Sequence, residues 1–185
     1  MVDMSANYVQ TATSSPQLHT ARLFMRPVTG SDLAEYTKLL TDPAVMQFVG
    51  INAGDVPSAA EIEALHENSI EVWKTRGWGK WSIFDIETWE FVGFCGFRSE
   101  DGQPELIEAI HRKFWGRRLA LEAAQACLHF GFVCLGFRSV KAYTRPGNWR
   151  ARRLLEKLGG VPENIFVFHG VEAMAYLLPL DADGF

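Results

Sequence analysis

The residues best suited to chemistry lie together in one stretch. It runs Glu105-Leu-Ile-Glu-Ala-Ile-His111 and continues as Arg112-Lys-Phe-Trp-Gly-Arg-Arg118. Alternation from Glu105 to His111 predicts a strand. Gly116 then marks a turn with basic residues around it. Helical periodicity follows at once, with Ala120, Ala123, Ala124, Cys127 and Leu128 sharing one side. A strand that enters a glycine turn and leaves it as a helix presents free backbone N–H groups at the positive end of the helix dipole. Such a junction favours a phosphate-bearing ligand. The stretch carries neither the lysine-bearing phosphate loop of nucleotide hydrolases nor the three-glycine dinucleotide fingerprint. A nucleotide hydrolase or a dehydrogenase is therefore a poor reading.

The charge distribution points the same way. Between Arg112 and Lys157 there are eleven basic residues and only two acidic ones, Glu122 and Glu156, in a chain whose formal net charge is -4. A basic region inside an acidic protein suggests an anion held locally, although solvated helix faces give the same count. The net negative charge argues against a nucleic-acid partner.

The elements that must position this stretch follow from periodicity and caps. Residues 1–17 read as a loose polar arm, and 18–185 as a single domain. Strands are expected at 20–26, 78–86, 91–98, 105–111, 139–143, 165–168 and 173–178, the last two joined at His169-Gly170. Helices are expected from Thr29, from the capping box Ser58-x-x-Glu61 to about Arg76, from Arg117 to Leu135, and from an Asn148 N-cap to Leu158. A short segment covers Val45 to Val49. Helices separate some strands and not others, so the fold class is a mixed α/β sheet rather than a doubly wound one.

In order along the chain, Gly93-Phe-Cys-Gly96, Glu105-Leu106, Phe114-Trp-Gly116, Ala120-x-Glu-Ala123, Tyr143-Thr144, Asn148 and Arg153-Leu-Leu-Glu-Lys-Leu-Gly159 resemble the GNAT superfamily of N-acetyltransferases. The closer resemblance is to its RimJ/RimL-like branch of ribosomal-protein N-terminal acetyltransferases, from about Thr20 to Leu180. The resemblance implies a mixed, mostly antiparallel seven-stranded sheet, splayed as a V between strands 4 and 5 and flanked by about four helices. It implies acetyl-CoA as co-substrate, with no metal, and direct transfer to the primary amine of a protein N-terminus or a small molecule. It places pantetheine beside the backbone of Ala109, Ile110 and His111. The pyrophosphate falls on the turn Lys113, Phe114, Trp115, Gly116, Arg117 and Arg118, where Leu119 and Ala120 open the helix. Asn148 matches the family asparagine near the pantetheine, and Arg153 a recurrent basic position.

The chain departs from the family pattern in three places. Lys113 and Arg118 replace the usual first residue and the small last residue of the turn. Ala151 stands where a serine is common, and Leu155 where other members carry a tyrosine acid. These departures motivate the alternative of a non-catalytic acyl-CoA-binding or sensing protein. Amine attack needs a proton acceptor, and the candidates are Glu105 and His111, with Glu108 on the opposite face of the strand by alternation.

Trp73, Trp78, Trp81, Trp89, Trp115 and Trp149 could line an acceptor pocket, but core packing is the more usual use. Glu63, Glu67 and Glu71 could form an acidic rim or a solvated face. Three cysteines without CxxC spacing argue against a disulfide scaffold or a zinc site. With no signal peptide or membrane segment in view, a cytoplasmic monomer or homodimer is expected.

Overall fold

The computed structural model describes residues 16–49, 55–100, 102–168 and 170–180. The expected arm lies outside them except at its end, as does His169 of the last hairpin. Among the described residues eight strands form one open sheet: β1 Leu18–His19, β2 Leu23–Pro27, β3 Lys80–Asp85, β4 Phe91–Glu100, β5 Gln103–Ile110, β6 Ser139–Thr144, β7 Val161–Phe168 and β8 Val171–Pro179. Their spatial order is β1-β2-β3-β4-β5-β6-β8-β7. The helices are α1 Leu33–Leu40, α2 Pro43–Met46, α3 Ala59–Arg76, α4 Leu119–His129 and α5 Trp149–Lys157.

The helix boundaries follow from local chemistry. At the start of α3 the Ser58 hydroxyl accepts the Glu61 N–H at 3.3 Å, and the Glu61 carboxylate accepts the Ser58 N–H at 2.8 Å, which forms the expected capping box. Asn148 accepts the Ala151 N–H at 3.2 Å and caps α5. Beyond α4 the chain widens into a π-helical turn, Phe130–Cys134, so the helix expected to run to Leu135 changes its winding before it ends. The strand count exceeds the expectation by one. Leu18 and His19 pair with Met25 and Phe24, and the chain before them is tied down where the Trp81 indole N–H donates to the Pro16 carbonyl at 2.9 Å. The fifth helix is α2, where a short segment was expected.

Neighbouring strands are antiparallel except at one junction. There β5 and β6 run parallel and meet through a single registered pair, Glu105 opposite Lys141. Past that pair no residue of β5 has a registered partner on β6, so the sheet opens as the expected V. One face of the sheet packs on α4 through Ala123, Ala124, Cys127 and Leu128, all fully buried. The other packs on α1, where Tyr36 stacks on Phe94 at 5.2 Å. The fully buried Trp81 meets Trp73 at 4.7 Å and Phe130 at 5.3 Å, so these tryptophans belong to the core rather than to a pocket. Each such buried ring contributes about 2–3 kcal/mol.

Candidate active site

The wall of the V is the free edge of β5, and hydrogen-bond alternation decides what that edge offers. The His111 N–H donates to the Val92 carbonyl of β4 at 2.8 Å. In an antiparallel pair successive residues turn their polar groups to opposite sides. Ala109 therefore also faces β4, while Glu108 and Ile110 face the cleft. The Ile110 carbonyl is taken by the Trp115 indole N–H at 2.7 Å. The groups left facing the cleft are the Glu108 backbone and the Ile110 N–H. Of Ala109, Ile110 and His111, only Ile110 turns its backbone to the cleft, and Glu108 does the same.

The turn that follows joins an exposed glycine to an uncapped helix start. Phe114 is buried and anchors it, while Gly116 is exposed at φ +78°, and a Cβ there would meet nothing within 4 Å. Leu119 and Ala120 begin α4, whose N-terminus has no side-chain cap, so its first N–H groups remain available to a ligand. Of the four basic side chains that the turn itself carries, three are engaged with carboxylates. Arg112 lies 3.7 Å from Asp42, Lys113 2.6 Å from Glu90 and Arg117 3.3 Å from Asp85. Arg118 is exposed and forms no ion pair among the described residues. It is also the residue that departs from the family's small one, and its backbone sits at φ +62°. That conformation costs a side-chain-bearing residue about 1–2 kcal/mol. Arg118→Gly should therefore raise the melting temperature by a few degrees while weakening phosphate-ligand binding several-fold. Thermal melts and titrations of one protein sample check both signs. Unchanged binding would remove Arg118 from the site.

Across the mouth of the V stands the start of α5. The Arg150 guanidinium lies 5.5 Å from the Trp115 ring, a cation–π contact that joins the turn to α5, and 4.7 Å from the ring of Trp149 on its own helix. The basic window is thus partly structural, a use its composition did not reveal. Asn148 is committed to capping α5 through its side-chain oxygen, and Arg153 is exposed on that helix. Leu155 is core, at 5% exposure.

The two carboxylates of β5 differ sharply. Glu105 is buried, and both its oxygens accept from Arg98, Nε and Nη2 each at 2.7 Å. This fork-to-fork pair holds the hairpin of β4 and β5 together. Glu108 pairs in register with Cys95, whose thiol meets the Cys127 thiol of α4, so Glu108 projects on the α4 face. Withdrawal from water pushes its carboxyl up to about 7. His111 is half-buried at the end of β5. Glu63, Glu67 and Glu71 all lie exposed on α3, and Glu71 pairs with Lys74 at 3.1 Å. Among the described residues no group of three or more His, Cys, Asp or Glu side chains could hold a metal ion, and no helix is long and apolar enough to cross a membrane.

The sheet is thus parted at its one parallel junction, and a glycine turn opens into an uncapped helix at its mouth. Residues 22–161 match the acetyltransferase (GNAT) domain, and the chain belongs to that family. It is 30% identical over 153 residues to an uncharacterized N-acetyltransferase, p20, of Bacillus licheniformis, across 80% of this chain and 84% of that one. Its fold matches an acetyltransferase of Agrobacterium tumefaciens strain C58 with a TM-score of 0.77 at 23% identity, covering 91% of this chain and 97% of the other. It also matches RimL, a ribosomal α-N-protein acetyltransferase in complex with coenzyme A, with a TM-score of 0.74 at 17% identity, covering 89% and 97%. The chain is an acyltransferase by family, and acetyl transfer is its chemistry.

Proposed function

We propose that the chain moves the acetyl group of acetyl-CoA to a primary amine, on a protein N-terminus or a small molecule, by direct attack in a ternary complex. The observation that carries this reading is the continuity between the unpaired cleft edge of β5 and the uncapped N-terminus of α4. One ligand with a phosphate end and a strand-like amide arm fits both. When bound, acetyl-CoA supplies the activated acyl group. The first N–H groups of α4 and the Arg118 guanidinium hold its pyrophosphate. The Glu108 backbone receives an amide of its arm as an added strand would. That leaves the Ile110 N–H to steady negative charge at the thioester oxygen.

Glu105 is engaged by Arg98, so it shapes the cleft rather than moving protons. Glu108 moves them. It lies on the α4 face, the donor's side, and its raised carboxyl can hand a proton to the departing sulfur, while the proton that the amine loses as it becomes an amide passes through water and restores the carboxyl. The test is steady-state kinetics over both substrates, with the acetylated amine confirmed by mass. Intersecting initial-velocity lines are expected. Parallel lines would mean an acyl-enzyme and would end the direct-transfer reading.

A further inference from the structure

We infer that the acceptor carries a carboxylate set apart from its amine, and that Lys80 of β3 holds that carboxylate. This rests on the acetyl-transfer reading above and names the class of acceptor.

Lys80 lies opposite Gly96 in the register of β3 and β4. Paired residues share a face, and so do alternate residues along a strand, so Phe94 and Arg98 are the diagonal neighbours of Lys80. Gly96 puts no side chain between them. Its φ is +157°, and a Cβ there would fall 2.3 Å from the Gly79 carbonyl, so nothing larger can fill the place. Lys80 uses the gap, and its ammonium stands 5.1 Å from the centre of the Phe94 ring, over β4. Tyr36 covers the rest of that ring.

Among the described residues, the carboxylates near this face are already engaged. Glu105 accepts two hydrogen bonds from Arg98. Asp32 accepts from Arg26, Thr29 and Ser82. Lys80 forms no ion pair among the described residues. Burial, and then the charge of Arg98, draw its pKa down to about 8, so it remains largely a cation at neutral pH. Lys80 is thus a half-dry cation beside a second one, and no carboxylate of the described residues is paired with it.

The position of this pocket says what the anion belongs to. Gly96 is also opposite Ile107 of β5, whose far edge opens the cleft. The ammonium therefore stands about one strand spacing, ~4.8 Å, from the strand that walls the cleft, on the face away from α4. A donor held at α4 leaves this face to the acceptor. An amine that reaches the cleft from here brings its remaining chain past Lys80. A carboxylate several bonds from the amine completes the pocket, whereas a second ammonium, as in a polyamine, meets repulsion.

The test titrates 6-aminohexanoate and 6-aminohexanamide, which share an amine and differ only in the charge of the far end. Each is titrated into the wild type, Lys80→Met and Lys80→Arg with coenzyme A present. The wild type is expected to bind the acid about tenfold tighter than the amide or better. The Met variant should bind the two alike, and the Arg variant should keep the preference. Equal or absent binding of the pair by the wild type overturns the inference without relying on any variant. A preference that survives in the Met variant overturns it too. Failure of the acetyl-transfer reading is seen separately, as binding of coenzyme A without any acetylated amine in the steady-state assay.

Discussion

Gly116→Asp raises the dissociation constant for acetyl-CoA by about a hundredfold, while Gly116→Asn raises it only a few-fold. The contrast separates charge from strain. Gly116 sits at φ +78°, and Asn and Asp enter that region with similar ease. Nothing within 4 Å would meet the new Cβ, so both variants keep the fold, with melting temperatures close to each other. The difference left is one carboxylate beside the proposed pyrophosphate. Two charges at ~4 Å and an effective dielectric near 20 repel by about 4 kcal/mol. Exposure of the turn reduces this, and the roughly 2.7 kcal/mol that remains is a hundredfold in affinity. Isothermal titration of the three proteins decides it. Equal losses in Asn and Asp would make the turn a conformational requirement and not an anion site, and no loss in either would put the donor elsewhere.

The contrast between Gly116 and Lys80 shows which parts of the site the sequence discloses. The turn is local. Its strand, glycine and helix follow one another in the chain, so the junction and its free N–H groups could be read directly. The caps at Ser58 and Asn148 were legible for the same reason, since donor and acceptor lie three residues apart. Lys80 reads as an ordinary polar residue in a strand. Only the β3–β4 register shows that it faces a glycine and shares its face with Arg98. The Arg98–Glu105 pair lies between these cases. A hairpin through Gly102 brings the two opposite each other, and that pairing could have been counted from the turn. The expected catalytic role for Glu105 overlooked the neighbour that occupies both its oxygens. The start of β7 was missed because Pro162-Glu-Asn164 breaks the alternation, and the register shift between Pro162 and Ile165 absorbs that break. Alternation did place Glu108 opposite in face to Glu105. It could not say that α4 would dry that face, because the Cys95 to Cys127 contact spans strand and helix.

Glu108→Gln lowers kcat/KM by about a hundredfold at pH 7, and the loss shrinks as the pH rises. A proton donor acts in its neutral form, which Glu108 keeps below about 7. The acceptor amine acts in its neutral form, which a protein N-terminus reaches near pH 8 and an alkyl amine near pH 10. Below pH 7 the wild-type rate rises tenfold per unit with the amine alone. Above 7 the loss of acid offsets the gain of amine, and the profile is flat until the amine has titrated. The Gln variant has no group to lose, so its rate keeps rising through 7 and its deficit closes. A carboxyl with a merely structural role would shift the whole profile down without moving the break.

Stability supplies a second and opposite readout. The folded protein keeps a proton on Glu108 that the unfolded chain releases between the ordinary 4.5 and about 7. Stability therefore falls as the pH rises across that window, by roughly 2 kcal/mol once partial exposure is allowed for. Glu108→Gln should abolish that decline, and melts from pH 5 to 8 would show the less active protein to be the more stable one above 7. Glu105→Gln should behave in the reverse sense. Weakening its pair with Arg98 costs about 2 kcal/mol of stability and leaves the break near pH 7 in place. A break that vanished in the Glu105 variant and survived in the Glu108 variant would return proton transfer to the residue the sequence first nominated.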